Sequence, residues 1–252
     1  MVRARDEFGK LLLCTDFDGT LVTFTGVPSQ TKLPGETREL LKKLTAVDGL
    51  HLAVISGRGF EELTELVPLE NASLAGNHGL KIRFASGSTY KPDIAEEIHE
   101  TISCLNESVR ENFAGKEGII IEDKGFGLAL HYRQFEGDQE EIKDRFRKIW
   151  SRHEIPELEL IKGAKLLEVR PSTWNKGDAV RLLQEESEEV PTIYIGDDTT
   201  DEDAFAVLRE QEFGFPVLVS QVEDDDSLAQ YRLANPQEVK GFLEDLYRIF
   251  QN

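Results

Sequence analysis

Apolar residues in this chain fall into short unbroken runs and into stripes of helical spacing, and over the first third the two kinds alternate. Lys10–Thr15 is a compact apolar run, which predicts a buried strand. Gly35–Ala46 carries Leu40, Leu41 and Leu44 on one helical stripe, and His51–Ser56 is a second strand. Phe60–Val67 reads as a helix stopped by Pro68, whose ring cannot continue it, and Ser73–Ala75 is a third short strand. Strands alternating with helices predict an α/β, Rossmann-like unit: a parallel sheet with helices on its faces.

The middle of the chain has a different rhythm. Leu80–Phe84 reads as a strand, and Ile94, Ile98, Ile102, Leu105, Val109 and Phe113 then recur at steps of four and three, the mark of a long amphipathic helix. Gly118–Glu122 and Phe126–Arg133 look like strands joined through Asp123-Lys124-Gly125. Ile142, Phe146, Ile149 and Trp150 mark another helix, and Glu157–Ile161 with Lys165–Val169 a second strand pair. A helix–strand–strand unit thus occurs twice, an α+β module expected over 81–167. The α/β core, expected over 1–80 and 168–252, resumes with a helix over Lys176–Glu186 and a strand over Thr192–Ile195. A helix over Glu202–Arg209, a strand over Phe215–Val219 and a last helix over Glu238–Phe250 complete it.

Composition narrows the class. Of 252 residues, Lys and Arg number 29 against 48 Asp and Glu, a formal net charge of −19. Binding along a nucleic-acid backbone needs clustered cations, so no nucleic-acid partner is expected. No apolar run approaches the ~20 residues that span a bilayer, so no membrane partner is expected either. The run that follows the basic start Met1–Asp6 is too short for a signal peptide. With two cysteines, Cys14 and Cys104, a disulfide scaffold is not indicated, and a cytoplasmic protein is the default expectation. The acidic runs Glu185–Glu189 and Glu223–Asp226 read as solvated faces, and His51, His99 and His153 lack metal-ligand spacing.

Four segments carry chemistry. Asp16-Phe17-Asp18-Gly19-Thr20 follows the first strand directly, where ligands bind in open α/β sheets. The extended period of two starts Asp16 and Asp18 on one side. Two close carboxylates repel unless a cation neutralises them, and Mg²⁺ suits a site of few carboxylates plus phosphate. Gly196-Asp197-Asp198-Thr199-Thr200-Asp201 follows another strand; Asp197 would converge on the first pair, and Asp201, one turn on, would orient it from behind. Ser56-Gly57-Arg58 offers a hydroxyl and backbone N–H groups to phosphate oxygens. Lys176 opens a helix, where a cation is electrostatically unfavourable, so its placement points to a bound anion.

In order and position these segments resemble the haloacid dehalogenase superfamily of phosphatases. The resemblance implies Asp16 as nucleophile, Asp18 as general acid and base, and Ser56 and Lys176 on the phosphoryl group. It also implies Mg²⁺ held by Asp16, the Asp18 carbonyl and Asp197, with Asp201 behind them. The insertion stands where a C2-type cap domain would. Gly76-Asn77-His78-Gly79, Glu122-Asp123-Lys124, His131-Tyr132-Arg133, Glu168-Val169-Arg170-Pro171 and Gly196–Phe205 narrow the resemblance to the trehalose-6-phosphate phosphatase family. That implies hydrolysis of trehalose 6-phosphate as the last step of trehalose biosynthesis, with a trehalose-6-phosphate synthase as metabolic neighbour.

Sugar hydroxyls need several polar groups presented together. Glu122, Lys124 and Arg133 alternate along extended segments, Lys165 opens the strand Lys165–Val169, and Glu168 and Arg170 sit at the hinge back into the core. With Gly57, Arg58, Asn77 and His78 these are the expected substrate contacts. Two other readings stay open at this level. One is a phosphatase or mutase for another sugar phosphate of the sucrose-, mannosylglycerate- or glucosylglycerol-phosphate type. The other is a regulatory module that keeps the fold without turnover.

Overall fold

The apolar run ahead of Asp16 forms β1 (Leu11–Thr15), with every residue buried. The structure is a computed structural model and describes residues 8–23, 31–93, 96–163, 165–188, 190–222 and 226–251. Met1–Asp6, Ile94, Glu189 and Glu223 to Asp225 fall outside these residues, so the expectations placed on them are not addressed. The chain divides into two compact units, Met1–Lys91 with Asn175–Asn252, and Pro92–Trp174.

In the first unit β1 lies at the centre of an eight-stranded sheet. It pairs in parallel with β2 (Leu50–Ile55), which pairs in parallel with β3 (Ser73–Gly76). Beyond β3 come two antiparallel strands, β4 (Lys81–Arg83) and β5 (Thr89–Tyr90). On the other side of β1, β10 (Thr192–Gly196), β11 (Gly214–Val219) and β12 (Tyr231–Leu233) follow in parallel. The period of two explains the layering. Leu11 and Leu13 face a core shared with α1 (Gly35–Leu44), α2 (Phe60–Leu66) and α7 (Pro236–Gln251). Leu12 and Cys14 face a second core shared with α5 (Lys176–Glu186) and α6 (Glu202–Arg209). Burial raises the Cys14 thiol far above its ordinary range, which suits a small core hydrophobe rather than a nucleophile.

The second unit contains α3 (Glu96–Phe113), β6 (Ile120–Asp123), β7 (Leu128–His131), α4 (Gln139–Trp150), β8 (Leu158–Gly163) and β9 (Leu166–Pro171). The helix–strand–strand unit indeed occurs twice, and its strands form one antiparallel sheet in the order β6-β7-β9-β8. Leu128, Leu130, Leu167, Val169 and Leu158 pack on the helices with Phe146 and Trp150. Asp138 caps α4, its carboxylate accepting from the N–H groups of Glu140 and Glu141.

Both expected boundaries move. The division lies at Lys91/Pro92 and Trp174/Asn175 rather than at 80/81 and 167/168. β4 extends the large sheet from β3, whereas β9, which runs through Glu168 to Pro171, belongs to the small one. Strands β5 and β12 were not expected, because two or three residues are too few to show alternation. Phe146 is fully buried in the second unit. Replacing it with Ala is expected to cost about 3–5 kcal/mol, read from the denaturant midpoint at unchanged slope.

Candidate active site

Because β1 and β10 run in parallel with Thr15 opposite Ile195, the residues that leave them emerge at the same end of the sheet. The Asp16 N–H donates to the Ile195 carbonyl at 2.8 Å, which extends the pairing one step further. Gly19 turns the chain away at φ +79°, and a Cβ there would fall 1.9 Å from Asp197 Oδ2. Only glycine therefore lets the Asp197 carboxylate close over the loop, where the Thr20 hydroxyl donates to its Oδ1 at 3.2 Å.

Lys176 enters from α5. Asn175 caps that helix in a reciprocal box with Asp178, which fixes the first turn and aims the lysine inward. Lys176 is 2% exposed, and its Nζ donates to Asp16 Oδ1 at 2.8 Å and to Asp201 Oδ1 at 2.7 Å. The anion inferred from its position at a helix start is thus partly supplied by the protein itself.

Asp201 is fully buried and is the organiser of the cluster. Its Oδ1 also accepts from the Tyr194 hydroxyl at 2.6 Å, and its Oδ2 accepts from the N–H groups of Asp197 and Asp198, each at 2.9 Å. Four donors fill both oxygens. Asp201 therefore holds Lys176 and the Asp197 backbone.

The electrostatics follow from three carboxylates facing one ammonium. Burial, together with the charges of Asp201 and Asp197 and against the pull of Lys176, raises the Asp16 carboxyl well above its usual range. Burial and the Asp201 charge push Asp197 up to about 7. Burial opposes the charge on Lys176, but Asp16 and Asp201 outweigh it and hold the ammonium above an ordinary lysine. Oxygens of Asp16, Asp197 and Asp201 all lie within 4.8 Å of one another. A surplus of negative charge and hard oxygen donors fits a divalent cation. Asp16 and Asp197 would be the carboxylate ligands, since the Asp201 oxygens are occupied by its own donors.

Asp18 does not join this trio. Its carboxylate accepts from Arg58 Nε at 2.6 Å and Nη2 at 2.8 Å, and Arg58 Nη1 pairs with Glu62. Arg58, expected on the substrate, thus has its guanidinium directed to Asp18 and Glu62.

Ser56 follows β2 at the same sheet end, and its Oγ accepts from the Arg58 N–H at 3.2 Å. The turn is braced from β3, with Asn77 N–H donating to the Arg58 carbonyl at 2.7 Å and His78 N–H to the Ser56 carbonyl at 2.9 Å. Asn77 and His78 both adopt positive φ, 51° and 56°, a strained pair for non-glycine residues. The His78 ring lies against Gly57, where a Cβ would come within 2.6 Å of it.

In the second unit the sheet turns one face to the helices. Its other face carries Glu122, His131, Glu159, Glu168 and Arg170. His131 Nε2 bonds Glu122 at 2.9 Å, Lys124 donates to Glu168 at 2.8 Å, and Arg170 Nε donates to Glu159 at 2.9 Å. Burial works against the Glu122 charge, but His131 and Lys124 outweigh it and leave the carboxyl below its usual range. Lys124 lies in the turn beyond Asp123 rather than in a strand. Arg133 follows β7 in an exposed turn, and Lys165 sits before β9 at φ +67°, paired with Gln139. Both occupy the opposite end of the β7–β9 ladder, joined there through the Tyr132 N–H and the Lys165 carbonyl.

Sequence reading passed over Tyr194, Glu62 and Glu159, and named His131 only within the His131-Tyr132-Arg133 segment. Glu62 had a signal, its four-residue spacing from Arg58; the others meet partners seven to eleven residues away only because a strand runs into a turn or pairs with its neighbour.

The trehalose-phosphatase family model matches residues 14–237, a span from inside β1 into α7. The chain belongs to this family. It is 33% identical over 269 residues to the probable trehalose-phosphate phosphatase 3 of Oryza sativa subsp. japonica, covering 98% of this chain and 72% of that protein. It is likewise 33% identical to the probable trehalose-phosphate phosphatase C of Arabidopsis thaliana, covering 97% and 79%. Among solved structures, it superimposes on the C-terminal domain of the C. albicans trehalose-6-phosphate phosphatase with a TM-score of 0.80 at 24% identity, a likeness of fold over 98% and 95% of the two chains. The Aspergillus fumigatus trehalose-6-phosphate phosphatase matches at 0.66 with 27% identity, over 98% and 96%. The family is one of phosphate-ester hydrolases on the haloacid dehalogenase fold, which generally use a divalent metal.

Replacing Asp201 with Ala would leave the buried Lys176 ammonium short of a partner. The variant is expected to lose about 3–5 kcal/mol of stability in denaturant titrations run with chelator present. A near-neutral result would show that Asp201 is not a structural anchor.

Proposed function

We propose that the protein hydrolyses trehalose 6-phosphate to trehalose and phosphate through an aspartyl-phosphate on Asp16. The observation that carries this reading is the Asp16 carboxylate 2.8 Å from the Lys176 ammonium at the end of a central parallel strand, with Asp18 two residues on.

In the first step an Asp16 oxygen attacks phosphorus, forming the Asp16 O–P bond as the bond from phosphorus to the sugar oxygen breaks. Asp18, as the carboxylic acid, gives its proton to that departing oxygen, so the sugar leaves as the alcohol. In the second step a water oxygen bonds phosphorus, the Asp16–phosphorus bond breaks, and Asp18 takes a proton from the water. Lys176 offsets the repulsion between the Asp16 carboxylate and the phosphate dianion. The Ser56 hydroxyl and the Gly57 N–H hold phosphoryl oxygens, while Asn77 and His78 brace that turn from β3. Mg²⁺ is the cation best suited to Asp16, the Asp18 carbonyl and Asp197, and when bound it would neutralise phosphate charge.

The second unit would act as the C2-type cap that reads the sugar. Its polar sheet face, with Glu122, Lys124, Glu168 and Arg170, offers the mixture of donors and acceptors that vicinal hydroxyls need. Lys124 and Glu168 satisfy each other, so a sugar entering there exchanges one set of bonds for another. A trehalose-6-phosphate synthase would supply the substrate. A cytoplasmic setting suits two cysteines that form no disulfide, and no helix among the described residues is long and apolar enough to cross a membrane.

The deciding experiment is phosphate release from a panel of sugar phosphates, with and without Mg²⁺. Trehalose 6-phosphate is expected to be the preferred substrate. Preference for sucrose phosphate, or isomerised phosphosugar without free phosphate, would overturn the reading. Asp16→Asn is expected to lower phosphate release by about 10⁴-fold or more while unfolding at an unchanged temperature. Mg²⁺ at a hundred times its dissociation constant is expected to stabilise the fold by about 2.7 kcal/mol, and Asp197→Asn to remove most of that gain in thermal unfolding.

A further inference from the structure

The steps above give Arg58 no task, yet its guanidinium donates to two carboxylates among the described residues of the first unit. Its side chain is 5% exposed. Nε and Nη2 form a two-pronged bond to the two oxygens of Asp18, at 2.6 and 2.8 Å, and Nη1 pairs with Glu62 in the first turn of α2. Its guanidinium carbon lies 5.6 Å from the centre of the Phe17 ring. Its backbone is tied as well, the N–H to Ser56 Oγ and the carbonyl to the Asn77 N–H.

Burying a guanidinium is costly, and neutralising one carboxylate would need no more than a lysine. What the planar fork adds is geometry. An ionised carboxylate has about four lone-pair sites in its plane, and the fork takes one on each oxygen. The plane is then fixed, and the remaining lone pair on each oxygen points in a set direction. The same contact keeps Asp18 off Lys176, so the two acids of the Asp-x-Asp pair are assigned to two different cations: Asp16 to Lys176, Asp18 to Arg58.

We propose that Arg58 is a positioning residue for proton transfer. Its fork, itself braced by Glu62, sets the Asp18 carboxyl in the orientation from which it delivers a proton to the departing sugar oxygen. This rests on the role given to Asp18 above. Arg58 gives up no proton; the proton passes from Asp18 to the sugar oxygen as the bond to phosphorus breaks.

The test compares two leaving groups. A sugar alkoxide needs a proton to depart, whereas p-nitrophenolate does not, and kcat/KM reports only the steps through phosphoryl transfer to Asp16. Arg58→Lys keeps the charge and loses the fork. It is expected to lower kcat/KM for trehalose 6-phosphate by about 30- to 100-fold, a partial loss of the roughly 10²–10⁴-fold that general acid catalysis is worth, and that for p-nitrophenyl phosphate by less than about threefold. Glu62→Gln, at a half-exposed position, is expected to show the same split at about three- to tenfold, and it decides the matter if Arg58→Lys does not fold. Equal losses on both substrates, or a loss confined to KM, would make Arg58 a phosphate-binding or structural residue and overturn the proposal. If the wild-type enzyme prefers another sugar phosphate, the reading of the preceding section falls, and the same comparison with that sugar phosphate still decides the role of Arg58.

Discussion

Three aspartate carboxylates and a single lysine ammonium share a largely buried volume where β1 and β10 end side by side. This imbalance is the constraint on which the site depends. Lys176 alone cannot neutralise Asp16, Asp197 and Asp201, and burial raises Asp16 and Asp197 far from where exposed carboxyls stand. The arrangement is costly as a structural ion pair, and its surplus of negative charge and hard oxygen atoms fits a divalent cation. Asp201 makes the cluster tenable, because its four donors absorb one of the three charges entirely within the protein.

The same logic separates the two acids of the Asp-x-Asp pair. Identical side chains two residues apart meet different cations and so take different chemistry. Asp16 faces Lys176 in the buried cluster, and Asp18 is gripped by Arg58 in a shell of Glu62 and Phe17. The surrounding protein is strongly acidic, at −19 overall. An anionic substrate is therefore drawn in by local cations that act within a Debye length, about 8–10 Å at ordinary salt, rather than by the field of the whole molecule.

The small sheet of the second unit divides its labour by period. Alternate residues build an apolar core with α3 and α4, and the intervening ones carry charged groups satisfied in pairs. Such a face is stable by itself and exchangeable for a polar ligand. Charged groups buried in pairs avoid the cost each would carry alone.

The helices Lys176–Glu186 and Glu202–Arg209 stand where their apolar spacing puts them, and the strand ahead of Asp16 does too, because local burial patterns impose them. Asp16, Ser56, Lys176 and Asp197 stood out as candidates for a related reason: each immediately follows a strand or opens a helix, and chain order records that; Asp18 stood out by its two-residue spacing from Asp16. Partnership is another matter. Nothing local to Asp201 announces Tyr194, nor does anything near Glu122 announce His131. Arg58 looked like a ligand for phosphate until folding set Asp18 against it. Period and position are properties of a few consecutive residues, so the amino-acid order determined the elements and the candidate acids. Which side chains share a charge and which strand belongs to which sheet were decided by contacts between segments that only the fold brings together, from nine residues apart for Glu122 and His131 to 160 apart for Asp16 and Lys176.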